Sequence, residues 1–202
     1  MRWDSLFDDL ESQLEQELHS DEGDLRAEEY RHRLGRLTLR ERLSTFSGQE
    51  AGEREPLSIE LVTGDVLVLF PQSFGRDWFS ADLAGQGTPA GAVLVPVGAI
   101  AGVIVPKTSV SRSLDVSETT DGAPRLTDRI GLAFALRDLC RRRAFVEVHC
   151  AGGAGASHSG TIDRVGRDHF DLAVHEQGVP RRDRNVAHQR LVPFEVIAYI
   201  RL

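Results

Sequence analysis

Residues 74–79 read FGRDWF and residues 165–170 read VGRDHF, nearly the same hexapeptide twice in a chain of 202 residues. A repeat of this kind constrains architecture more than any single element does, because both copies must fold as versions of one unit. The match extends on both sides. Leu94-Val95-Pro96 leads to Ile100-Ala101, and Leu191-Val192-Pro193 leads at the same spacing to Ile197-Ala198. Upstream, SIEL at 58–61 parallels FVEV at 145–148, and RLTLRERL at 36–43 parallels RIGLAFAL at 129–136. The order is conserved and the offsets wander by a few residues, as length changes in loops require. Only two copies occur, so the chain is a tandem duplication and not a solenoid.

Each copy predicts the same elements. A helix comes first. Thr38 and Glu41 form a capping box, followed by Leu39, Leu43 and Phe46 at helical spacing; in the second copy Ile130, Phe134, Leu136, Leu139 and Cys140 form the apolar face. Alternating strands follow: Leu57, Ile59 and Leu61 against Ser58 and Glu60, then Val146 and Val148 against Glu147 and His149. Long second runs at 65–83 and 159–175 turn at Gly-Arg-Asp. Gly75 or Gly166 is expected there at positive φ, and Asp77 or Asp168 is expected to cap its own turn. Pro96 and Pro193 mark the corner before a closing strand, since proline cannot donate to a ladder. A short helix and about five bent strands predict a small closed barrel plugged by Phe79 or Phe170. Residues 106–128, rich in Ser, Thr, Asp and Pro, read as a linker.

Charge is unevenly placed. The net charge is −7, yet residues 1–30 hold eleven acids against two arginines, whereas residues 129–202 hold twelve bases against eight acids. In the acidic head Trp3, Leu6, Phe7, Leu10, Leu14 and Leu18 share one helical stripe with carboxylates around it. This amphipathic helix is expected either to pack on the protein itself or a sister chain, or to dock in a partner's groove with Trp3 and Phe7 as anchors. Its polar face has the wrong sign for an anionic membrane. No run of apolar residues has the length of a transmembrane helix, and the first residues lack the apolar core of a signal peptide. The two cysteines, Cys140 and Cys150, form no disulfide framework and are expected as small reduced hydrophobes in the cytoplasm.

Three basic spots lie in the second copy. They are Arg141-Arg142-Arg143 at a helix end, Arg164 and Arg167 beside the central turn, and Arg181, Arg182 and Arg184 at a hairpin tip, with Arg190 nearby. Guanidinium groups suit phosphate, so convergence of these spots would make a nucleic-acid footprint; alternatively the first complements a helix dipole and the last keeps a tip soluble. AGGAGASHSG at 151–160 lacks the lysine of a phosphate loop and reads as a hairpin loop. The histidines show no metal-ligand spacing, and His149, His158 and His175 are the set that would have to meet across adjacent strands to hold a metal. No nucleophile with an orienting base, no paired carboxylates and no cofactor motif can be identified, so the chain is expected to be non-enzymatic, with no cofactor and no metal.

Two resemblances rest on these residues. PLSIELVTGDVLVLFPQSFGRDWFSADL followed by VLVPVGAIAGVIVP is similar to the strands of the bacterial Sm-like (Hfq-like) proteins, over about 65 residues and including the Val62-Thr63-Gly64 hairpin. Gly160, Ile162, Asp168, Phe170 and Leu172 resemble the first Sm motif. With the charge pattern and the linker composition, the resemblance gives an expected order of acidic helical head over 1–34, Sm/SH3-like barrel over 35–105, linker over 106–128 and second barrel over 129–202, a mainly β, α+β chain. It does not bring the family's RNA pocket, because the Lys-His pair is missing at Val95-Pro96-Val97 and at Val192-Pro193-Phe194. The whole chain also resembles a family of actinobacterial hypothetical proteins of similar length, some labelled transcriptional regulators, and that resemblance implies no catalytic residue. Together these readings anticipate an interaction or regulatory protein that binds a protein partner or itself; two modules per chain would make a trimer a pseudo-hexamer. The alternative is a nucleic-acid binder that uses the second-copy arginines and is masked by the acidic head.

Overall fold

The structure is a computed structural model and describes residues 28–47, 55–85, 91–114, 126–152 and 157–202. The chain divides into two compact units, residues 1–38 and 39–202. In the first unit the described part is a helix, α1, over 28–36, closed by the Leu37 N–H donating to the Leu34 carbonyl at 3.2 Å. The expected docking stripe of Trp3, Leu6, Phe7, Leu10 and Leu14 lies outside the described residues.

The second unit begins with helix α2 (Leu39–Ser44) and continues through strands β1 (Leu57–Leu61), β2 (Val66–Phe74), β3 (Trp78–Leu83), β4 (Ala92–Pro96) and β5 (Ile100–Ile104). Helix α3 (Val110–Leu114) comes next, then α4 (Leu132–Arg142). Strands β6 (Phe145–Cys150), β7 (Ser157–Val165), β8 (His169–Val174), β9 (His188–Pro193) and β10 (Ile197–Arg201) complete the chain. The architecture is therefore α+β and mainly β. All ten strands pair antiparallel in one open sheet of order β5-β1-β2-β3-β4-β10-β6-β7-β8-β9. Each half has the same internal order, with its last strand beside its first, and the halves join where β4 meets β10. The sheet does not close on itself: β5 and β9 are its two edges.

Alternation sets the strand faces. Leu57, Ile59 and Leu61 of β1 are buried, and Glu60 points outward; Val146 and Val148 of β6 are buried in the same way. Both repeats bend at one place. The β2–β3 register shifts between Pro71 and Ser73, and the β7–β8 register shifts between Ile162 and Arg164, the matching positions of the two copies. An extra residue bends a strand and raises its twist, which curls each half around its own core. Gly160 serves the same curl: a Cβ there would sit 2.0 Å from the Ala173 carbonyl oxygen. Phe79 and Phe170 are fully buried, one in each core, so the expected plugs are in place.

Several expectations are corrected. Gly75 and Gly166 are not at positive φ. Gly75 is required by closeness instead, since a Cβ there would lie 2.2 Å from Trp78 Nε1. Phe134 is 58% exposed and lies off the buried face of α4, which Leu132 and Leu136 supply. The stretch expected as a linker holds a 3-10 turn (Lys107–Ser109), helix α3 and a second 3-10 turn (Leu126–Arg129). Helix α3 is tied down by Arg112, which pairs with Glu55 at 2.9 Å and lies over the Phe46 ring.

Candidate functional site

The seam between the repeats shows what these strands can hold. At β4–β10, Leu94 lies opposite Ile200 and Val93 opposite Arg201, and the Leu202 N–H donates to the Ala92 carbonyl at 2.9 Å. Side chains cross over as well. Leu94, on a repeat-1 strand, packs into the repeat-2 core with Leu132, Leu136, Ile197 and Ile200. Ala198, on a repeat-2 strand, packs into the repeat-1 core. Burying one such leucine contributes about 1.5–3 kcal/mol.

The first hexapeptide fastens this seam. Asp77 Oδ1 accepts the Leu132 N–H at 2.7 Å, capping α4 from the other repeat. Helix α4 needs that acceptor, because Gly131 at its N-cap has no side chain to offer. Trp78 Nε1 and the Arg76 N–H both donate to the Ile130 carbonyl, at 3.0 and 2.9 Å. Asp77 thus reaches across the seam where capping of its own turn was expected. In the second hexapeptide Asp168 is 84% exposed and accepts from His169 Nδ1 at 2.8 Å; the adjacent imidazole holds its carboxyl below the usual range.

Cys140 Sγ lies 3.3 Å from the Asp163 carbonyl oxygen, which sets the end of α4 against the middle of β7. Arg141 and Arg142 pair with Asp138 at 2.6 and 2.7 Å. Arg143 terminates α4 in the left-handed conformation, φ 52°. Arg181 grips both oxygens of Asp163 at 2.9 and 2.5 Å and also meets Asp183, and these contacts hold the Asp163 carboxyl below the usual range. Arg164 stands 3.6 Å from Asp171. Half of the expected basic footprint is therefore spent on carboxylates within the protein. Arg143, Arg167, Arg182 and Arg184 are exposed.

The three histidines do not meet. The His149 ring stacks on Tyr199 with centroids 4.0 Å apart, its Nε2 is 3.1 Å from Glu147, and burial is the main reason its pKa is lowered. His175 shares a 2.8 Å hydrogen bond with Thr161 Oγ1, and burial likewise lowers His158. Among the described residues no group of three metal-ligating side chains is brought together. Cys150 is half-buried, and desolvation pushes its thiol up, away from the reactive thiolate. No described helix is long and apolar enough to cross a membrane.

The sequence anticipated open edges but singled out no residue on them. On β9, Leu191 is 67% exposed, and beside it Arg167, Asp168, His169, Pro193 and Phe194 line a shallow hollow. At the other edge Leu39, Leu43 and Phe46 face Ile100 and Val103 across an open groove between α2 and β5, and Ile104 is 59% exposed. Leu94 and Leu191 sit in the same LVP tripeptide, so only the order of the copies along the sheet distinguishes the covered leucine from the bare one. No family model, curated protein or solved structure matches the chain.

Proposed function

We propose that this chain is a non-enzymatic interaction protein of the cytoplasm, built from two Sm-like modules, whose open sheet edges hold a protein partner. The closing strand of each half lies beside its first strand, and β5 and β9 are left to pair outward, an arrangement in keeping with the Sm-like resemblance. The observation that carries the function is that each edge strand exposes a large apolar side chain, Ile104 at 59% on β5 and Leu191 at 67% on β9. β5 reads IAGVI with no charge to blunt it, and β9 carries a bare leucine. Unprotected edges of this kind accept another strand.

The second reading, nucleic-acid binding, is favoured by the exposed Arg143, Arg167, Arg182 and Arg184 of the second repeat. A titration of the full chain against single-stranded RNA and duplex DNA, at low and physiological salt, separates the two. Protein binding at the edges expects no salt-dependent nucleic-acid complex. Binding that falls steeply with salt, weakens when those four arginines become alanine, and strengthens on removal of residues 1–30 would instead assign a nucleic-acid function held back by the acidic head.

A further inference from the structure

We infer that the groove between α2 and β5 is a binding site for a small amphiphilic carboxylate, an aliphatic chain that ends in a single carboxylate. The inference goes beyond the reading of the sheet edges and does not rest on it. The groove has a volume of about 250 Å³ and is apolar on most sides. Leu43 and Phe46, 2% and 3% exposed, form its deepest part, and Leu39, Ile100 and Val103 flank it. Removing an aliphatic chain from water is favourable in such a place.

One cation interrupts this lining. Arg42 of α2 is half-buried at the wall of the groove. Among the described residues its guanidinium has one partner, the Ser113 hydroxyl, to which it donates at 2.8 Å. Ser113 is fully buried, and its own proton goes to the Val110 carbonyl at 2.7 Å. The hydroxyl therefore holds the guanidinium in place without neutralising it. No described residue that lines the groove is acidic. Glu55, the carboxylate that anchors α3, is engaged by Ser109 at 2.8 Å and by Arg112 at 2.9 Å. A guanidinium fixed beside an apolar groove offers a forked pair of donors to a carboxylate, and the low polarity around it strengthens the attraction.

The repeat shows that this cation is particular to the groove. The parallel of RLTLRERL with RIGLAFAL sets Arg42 against Ala135. Ala135 packs against the repeat-2 core, where Leu94 from the seam joins Leu132 and Leu136 of α4. Repeat 2 sets a small apolar residue beside an aliphatic filler. Repeat 1 sets an arginine beside an open space. A purely aliphatic occupant would leave Arg42 more deeply buried with no counter-charge, which is costly. An occupant with a carboxylate at the end of an apolar body suits both the lining and the cation.

Isothermal titration of the full chain with octanoate at neutral pH tests this. The expected result is a saturable one-to-one complex, with a melting temperature that rises with octanoate concentration. Acetate has the charge without the chain, 1-octanol the chain without the charge, and octylamine the opposite charge; each should bind about tenfold more weakly or not at all. Arg42→Gln should lose about tenfold in octanoate affinity and leave 1-octanol unaffected, and Arg42→Lys should recover part of the loss. Ala101→Glu, at an exposed position on the groove wall, puts a competing carboxylate beside Arg42. It should abolish octanoate binding with the ligand-free melting temperature unchanged, and it keeps the test decisive where Arg42→Gln does not fold. Octanoate that never saturates the wild type, octylamine that binds as tightly as octanoate, or a folded Arg42→Gln or Ala101→Glu chain that binds octanoate as the wild type does would each overturn the inference. The wider assignment of protein rather than nucleic-acid binding falls separately, on the salt titration above.

Discussion

Asp77 and Asp168 occupy the same place in the two repeats and meet different neighbours, which makes them a matched pair for measurement. Asp77 caps α4 across the seam, so Asp77→Ala should lower the unfolding free energy by about 1 kcal/mol in urea denaturation. The Asp168 carboxylate is exposed and accepts only from its neighbour His169 among the described side chains, so Asp168→Ala should leave the urea midpoint nearly unchanged. The glycines divide similarly. A Cβ on Gly75 would strike the Trp78 ring and come within 2.6 Å of the Ile130 carbonyl oxygen, both parts of the clasp. A Cβ on Gly166 would meet the His169 ring at 2.7 Å, and that ring has room to swing away. Gly75→Ala should therefore cost about 1–3 kcal/mol, and Gly166→Ala clearly less. His149 and His158 give the pH dependence. Burial lowers both below 6.5, so the unfolded chain takes up protons first as pH falls. Stability is retained above that value and lost as pH drops through it toward the folded-state pKa. The melting temperature should be lower at pH about 5.5 than at about 7.5. His149→Phe keeps a ring against Tyr199 and should shrink the difference.

At the scale of the element, alternation and repetition were legible because they are written locally. β1 and β6 show period two in their own letters, and the offset of ninety-one residues between the hexapeptides is also the offset between the two bulges. Contacts that join distant segments were not legible. No local rule brings Asp77 to the start of α4, or turns Phe134 outward while Leu132 and Leu136 turn in. The arginine clusters were visible as letters, but their carboxylate partners lie on other strands. Arg181 reads as a free charge at a tip and is in fact bound to Asp163 eighteen residues earlier. Arg181→Ala should lower the melting temperature measurably, because the grip on Asp163 is bidentate and only a quarter of it is exposed. In a nucleic-acid titration it should lose less affinity than Arg182→Ala, whose guanidinium is exposed and pairs with no carboxylate among the described residues.

At the scale of the molecule, duplication has produced one continuous sheet with matched ends. Hydrogen exchange of the full chain is the most direct measurement. The seam amides of β4 and β10 should exchange slowly, with the protection of a core sheet, and the outward amides of β5 and β9 should exchange fast in dilute solution. Seam amides that exchange as freely as a bare edge would contradict the single sheet joined at β4 and β10.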